Sequence, residues 1–180
     1  MYLATAGKIS LLMSVSLRDY LHSAALGLLN PFLYYFILLK AYAILPAQLA
    51  QPLNFVWPLT LVLLSVPLLG QKIHARDITA ILISLSGVLL LIFAQGAVGR
   101  LGSASSRGAL LALGSTVVWS LYWVYNTKDT RDPTLRLLLN FAMGTIYTLL
   151  LVALSGRLQP PPLRALGGSV YIGLSEMGLG

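Results

Sequence analysis

Long apolar runs separated by short charged loops set the pattern of this chain. The first run spans about Leu21 to Leu45 and is apolar apart from Asn30-Pro31, with His22 at one end and Lys40 near the other. Pro46 opens a second run that reaches about Gly70 and carries Gln48, Gln51, Pro52, Asn54, Trp57, Pro58 and Pro67, an unusually polar and proline-rich set for a helix facing lipid. The third, Ile78 to about Ala94, is interrupted only by Thr79, Ser84, Ser86 and Gly87 and reads as scaffold. A Gly/Ser-rich stretch from Gly96 to Gly108 then divides the chain into two halves, residues 1–97 and 107–180, joined by a linker at 98–106. A fourth run reaches about Asn126 and a fifth covers about Leu135 to Leu154. After Pro160, Pro161 and Pro162, a last apolar stretch begins near Ala165 and has about 16 residues before Gly180. A helix rises about 1.5 Å per residue and needs about 20 apolar residues to cross a bilayer. The pattern therefore predicts an all-α integral membrane protein, a polytopic helical bundle, whose last stretch is short of a full crossing.

Composition agrees with the pattern. Of the 180 residues, 57% are hydrophobic and 9% charged, against roughly 25% charged in an average soluble domain. The net charge of +7, from 12 Lys and Arg against 5 Asp and Glu, is spread singly between apolar runs. That spacing points to control of membrane topology and away from nucleic acid. Lys8, Arg18, Lys72, Arg76, Lys128, Arg131 and Arg136 fall in one set of alternate loops, and Arg100, Arg107, Arg157 and Arg164 in the other, with Lys40 close by. The richer set is expected to be cytoplasmic, so the Leu21 run leads outward, and Lys40 snorkels toward the outer interface. Zero cysteines exclude disulfides and thiolate metal sites. The N-terminal MYLATAGKISLLMSVSL has neither a basic n-region nor a small-residue cleavage site, and is not expected to be a signal peptide.

Polar groups inside the hydrocarbon region are costly unless paired or facing a cavity, so their positions mark the protein interior. In the second run Gln51, Asn54, Trp57 and Pro58 recur at spacings of three and four, and Pro58 has no N–H to offer the carbonyl of Asn54. In the fourth, Ser115, Trp119, Tyr122 and Asn126 form a single stripe on a helix of 3.6 residues per turn. Hydroxyl, indole and amide handles along an aromatic stripe suit a flat or amphipathic organic solute. Trp123 and Tyr125, at the end of that run, fit interface anchoring better. Tyr34 and Tyr35 follow the Asn30-Pro31 kink, and at least one of them should point inward. The candidate substrate-binding residues are thus Asn30, Tyr34, Gln51, Asn54, Trp57, Trp119, Tyr122 and Asn126. Glu176 has apolar sequence on both sides and would serve as the coupling acid, binding and releasing a proton during transport. No catalytic residue, cofactor or metal is expected: His22 and His74 lie far apart near run ends, and Asp129 and Asp132 share the loop KDTRDPT, which reads as a hydrated turn.

The two halves show a weak internal similarity. Leu26-Gly27-Leu28-Leu29-Asn30-Pro31 aligns with Ile172-Gly173-Leu174-Ser175-Glu176-Met177, keeping Gly and Leu in register and setting Asn30 opposite Glu176. A repeat at that interval spans an odd number of helices, so the second copy would be inverted, a feature of transporters.

The stretch LNPFLYYFILLKAYAILPAQLAQPLNFVWPLTLVLLSVPLLGQKI, followed by ILISLSGVLLLIFAQG, resembles the EamA-type branch of the drug/metabolite transporter superfamily. The matching features are the alanine-rich turn Ala47 to Ala50, the central Pro58, the turn Gly70-Gln71-Lys72 and Gly87-Val88. GALLALGSTVVWSLYWVYNTK looks like the first helix of the second repeat, and YIGLSEMGLG like the start of that repeat's third helix. The resemblance implies ten helices in an inverted five-plus-five repeat and export of small metabolites, commonly amino acids, through a central cavity. Residues 1–97 would then be the C-terminal part of the first repeat, with Met1 to Ser10 the tail of its second helix, and residues 107–180 the N-terminal part of the second. On length the chain looks like an internal piece of such a protein. The expected partners are a small-molecule substrate and the lipid bilayer, with no nucleic acid, and with proton coupling and a homodimer left open. The expected location is the bacterial cytoplasmic membrane. The rival readings are an inactive piece or structural membrane subunit and, with less behind it, a membrane-embedded lipid enzyme.

Overall fold

A computed structural model gives the fold and describes residues 15–94, 103–156 and 162–175. The described residues are helical, with no strand among them. They form α1 (Leu17–Gly27), a π-wound segment (Leu28–Leu33), α2 (Tyr34–Ile44), α3 (Ala47–Asn54), α4 (Trp57–Leu69), α5 (Ala75–Ala94), α6 (Ser103–Thr127), α7 (Pro133–Leu154) and α8 (Leu163–Ser175). Four stretches among them have the length and apolarity to cross a membrane: Leu17–Ile44, Ala47–Leu69, Ser106–Thr127 and Pro133–Leu154. Their outward side chains are large and apolar, with Leu39, Leu63, Leu110 and Leu149 all exposed. The chain is a polytopic helical membrane protein. By its contacts it falls into two units, residues 1–147 and residues 148–180; the second contains the end of α7 and α8.

Within the first unit α6 is the central element, packing against α2, α3, α4 and the π-wound segment. Its inner face explains why. Ala112, Ser115, Thr116 and Ser120 are all buried, and small or hydroxyl side chains let helix backbones approach in a medium where apolar contact alone gives little drive. Thr116 Oγ1 lies 2.9 Å from Thr60 Oγ1 of α4, and Ser120 Oγ donates to the Trp57 carbonyl at 3.1 Å.

Three element boundaries differ from the sequence expectation. The first run starts earlier and is broken at Asn30, whose backbone (φ −141°, ψ 124°) is extended where Pro31 withholds an N–H. The second run is two helices: α3 stops at Asn54, and Pro58 sits in the first turn of α4, where its missing N–H costs nothing. The expected linker is shorter, because α6 already begins at Ser103. Gly108 is a packing residue in that helix, and an added Cβ there would meet Ile44 Cγ2 at 3.1 Å.

Local signals at the helix ends act as their chemistry dictates. Ser16 and Asp19 form a reciprocal capping box at the start of α1, with Ser16 N–H donating to Asp19 Oδ2 at 2.9 Å. The Asp77 carboxylate accepts from the His74 N–H at 2.8 Å ahead of α5. Gly70 ends α4 in the left-handed conformation (φ 67°), which a side chain would strain. At the other close approach, Gly27 of α1 and Gly144 of α7 let the helices touch: an added Cβ at Gly27 would collide with the Asn140 carbonyl and sit 2.9 Å from Met143 Cβ.

Candidate functional site

The two helix breaks and the hydroxyl face of α6 bring a set of aromatic and amide side chains together. Tyr34 is buried at the start of α2, just beyond the break at Asn30, whereas its neighbour Tyr35 is exposed. The Tyr34 hydroxyl donates to Asn54 Oδ1 at 3.2 Å, and Asn54 Nδ2 donates to Ser115 Oγ at 3.0 Å. Asn54, the last residue of α3, is therefore held on both sides by the neighbouring helices α2 and α6. Around this chain the rings stack: Tyr34 to Trp119 at 4.6 Å between centroids, Trp57 to Trp119 at 6.3 Å, and Trp119 to Tyr122 at 6.3 Å. Such pairs sit within the range of favourable tilted and edge-on contacts.

The stripe expected on the fourth run faces inward: Ser115, Tyr122 and Asn126 are buried and Trp119 is half-buried. Three of its polar handles, Trp119 Nε1, Tyr122 OH and Asn126 Oδ1, are buried and make no hydrogen bond to the described chain. The stripe expected on the second run does not stay on one face. Asn54 is buried and Trp57 half-buried, but Gln51 and Pro58 are exposed: Gln51 is three residues before Asn54 on α3, and Pro58 belongs to α4, whose phase is independent after the break at Phe55-Val56. Gln51 is instead paired with the Tyr42 hydroxyl. Asn30 is buried at the break, with its Oδ1 unbonded. Glu176, the expected coupling acid, lies outside the described residues, as do Met1 to Ser10, Arg100 and Arg157, and only part of the second copy of the internal similarity is described.

A separate cleft of about 460 Å³ lies between α4 and α5. Its walls, including Phe55, Pro58, Val62, Ile81 and Leu85, are mainly apolar, and Lys72 and Asp77 stand among its lining residues. Almost every described side chain of α5 is exposed, and the cleft shares none of the stacked rings. It offers few polar groups to orient a solute.

The loop KDTRDPT departs from the expected hydrated turn. Asp129 is buried, and Arg131 grips it through Nε at 2.9 Å and Nη2 at 2.6 Å. The same guanidinium donates through Nη1 to the Asp19 carbonyl and to Ser23 Oγ, both at 3.0 Å. The Arg131 hydrogen bonds hold the Asp129 carboxyl below its ordinary range, against the opposing effect of burial, and Asp129 in turn raises Arg131. The clamp has no signature in the sequence, because local composition shows polarity, not which partner, more than a hundred residues away, will cover the loop. Thr60 on α4, Thr116 and Ser120 on α6, and Asn140 were not among the expected site residues; the four-residue spacing of Thr116 and Ser120 and the lone amide of Asn140 in the apolar run LRLLLNFAMG were the available signals.

Residues 1–93 match the EamA-like transporter family. The chain belongs to this family. It is 29% identical over 156 residues, 86% of this chain and 52% of the relative, to the aromatic amino acid exporter YddG of Ancylobacter novellus. It is 31% identical over 126 residues, 69% of this chain and 40% of the relative, to the uncharacterized transporter YvbV of Bacillus subtilis. The chain thus spans about half the length, or less, of the curated relatives it matches. No solved structure matches it. This EamA-family chain is accordingly a multi-pass integral membrane protein of a transporter family, and the bilayer is its surroundings.

Proposed function

We propose that this chain is part of an alternating-access carrier that exports small organic metabolites, amino acids with aromatic side chains foremost, across the bacterial cytoplasmic membrane. The observation that carries the reading is the ring cluster of Tyr34, Trp57, Trp119 and Tyr122 built around the bonded Asn54, with buried indole and phenol handles left free. Such a wall supplies stacking area and a few fixed polar groups, the combination that holds an amphipathic solute. The aromatic exporter among the relatives supports the choice of substrate class. Asn30 and Asn126 are assigned to the same site, and Gln51, bonded to the Tyr42 hydroxyl, to its edge. Glu176 is assigned proton coupling. Flux through the full-length protein across neutral pH, wild type beside Glu176→Gln, tests that assignment, and an unchanged profile removes Glu176 from the cycle.

The central test replaces the wall. Trp119→Ala and Asn54→Ala in the full-length protein should each lower solute export from loaded proteoliposomes about 5- to 150-fold, the loss of a stacking surface or a buried polar contact worth about 1–3 kcal/mol. Normal flux in both variants would return these residues to packing alone.

A further inference from the structure

Beyond the Arg131 clamp, α6 and α7 carry buried polar atoms that the contacts of the aromatic site leave unbonded. Arg136 Nη1 donates to the carbonyl oxygens of Asn126 at 2.9 Å and Asp129 at 2.7 Å, which fixes the end of α6 against the first turns of α7. One turn farther from the loop on each helix come Tyr122 and Asn140, at i−4 from Asn126 and i+4 from Arg136, so each continues the face that makes this contact. Tyr122, Asn126 and Asn140 are each at least 98% buried. Tyr122 OH, Asn126 Oδ1, Arg136 Nε and both amide atoms of Asn140 are buried without a hydrogen bond to the described chain. A buried polar atom left unbonded costs about 1–3 kcal/mol, and a run of them on two adjoining helices is the reverse of what stable packing selects.

We propose that this seam is a carboxylate subsite of the carrier, with Arg136, Asn140 and Tyr122 as its donors. The donor chemistry selects the ligand: a guanidinium N–H, a carboxamide NH₂ and a phenol O–H, each buried and unbonded, suit an anion that accepts several hydrogen bonds, and charge-assisted bonds of this kind are the strong ones. The guanidinium spends Nη1 on two backbone carbonyls and leaves Nε buried without a partner in the described chain. Tyr122 belongs to both groups, stacking on Trp119 at 6.3 Å while its hydroxyl is free. A solute with an aromatic body against Trp119 and a carboxylate in the seam therefore uses both. The seam is closed in this structure, so the carboxylate enters when the hairpin and α1 part at the Arg131 clamp. This inference rests on the carrier reading above and adds the group on the solute that the protein recognises.

The test uses the full-length protein in proteoliposomes and one pair of probes, L-phenylalanine and L-phenylalaninamide, which differ in the carboxylate. Wild-type protein should carry the acid at least about tenfold better than the amide, the difference expected for a hydrogen-bonded charge. Asn140→Ala should bring that ratio close to one. Asn140→Asp keeps the side chain's size but sets an acid against the carboxylate, and should invert the ratio. Equal handling of both probes by the wild type, or an unaltered ratio in both variants, overturns the carboxylate subsite and leaves the carrier reading standing. A wild type that carries neither probe overturns both.

Discussion

Arg131 shows how much one side chain organises at the residue scale. Its five N–H donors reach a carboxylate, a carbonyl and a hydroxyl on two separate segments, a task the planar guanidinium suits and an ammonium does not. Asp129→Asn leaves that charge without its closest partner and should destabilise the protein by up to about 3 kcal/mol, read as a lowered midpoint of thermal unfolding in detergent. The pH dependence follows from the same pair. A carboxyl held below its ordinary value of 3.8 adds stability at all pH values above that, and the contribution is lost as pH falls through the depressed value. The wild type should therefore lose stability on acidification below about pH 4, and Asp129→Asn should show a shallower acid limb. Identical acid limbs would mean that the pair adds nothing to folding. The aromatic residues were legible at this scale: Trp119, Tyr122 and Tyr34 stood out as aromatics beside helix breaks or in mid-run. The distant partners of Arg131 were not, since nothing near KDTRDPT in sequence names Asp19 or Ser23.

Between elements, glycine decides how closely α1 and α7 approach. The Gly27 and Gly144 backbones face each other across the contact, with Pro31 against Gly144 and Met143 Cβ 2.9 Å from where a Gly27 Cβ would be. Gly144→Val puts a branched side chain against Pro31 and should cost at least about 1–3 kcal/mol from overpacking, seen as loss of the monodisperse peak on fluorescence-detected size exclusion. Gly87→Val, where an added Cβ meets nothing within 4 Å, is the matched control and should behave as wild type. If Gly144→Val remains monodisperse and as heat-stable as the control, the close contact is not essential. Helix existence was readable from run length throughout, but the division of the second run at Phe55-Val56 was not. Proline announces that a hydrogen bond is missing; whether the chain bends through the gap or starts a new helix depends on what packs on either side.

For the molecule as a whole, the contacts place particular loops at one end of the bundle. Arg131, between α6 and α7, touches Asp19 and Ser23 at the start of α1, so the segment entering α1 and the KDTRDPT loop share a side. Both belong to the loop set richer in Lys and Arg, which is expected to be cytoplasmic. The absence of native cysteine makes the check direct. Single cysteines at positions 72 and 128 of the full-length protein, the latter an exposed position of the KDTRDPT loop, should resist a membrane-impermeant maleimide added to intact cells, while one at position 100 should react. Labelling at 72 but not at 100 reverses the orientation.

By itself the sequence determined the environment, the helical class and the family: about 20-residue apolar runs have no other stable solution in a bilayer, because every backbone group must be satisfied within its own segment. It also determined which side chains were costly enough to be noticed, since an amide or indole inside an apolar run must face protein. The tertiary structure decided which of those side chains meet. Asn54 joins Tyr34 and Ser115 while Gln51, three residues earlier on α3, pairs outside with Tyr42, and the helix break between Asn54 and Trp57 resets the rotational phase for every residue of α4. The Asp129–Arg131 pair is held where α1 meets the loop, because Asp19 and Ser23 of α1 accept the remaining Arg131 hydrogen bonds. Periodicity describes one helix at a time, and contacts between helices depend on the breaks and close approaches that set their relative turn.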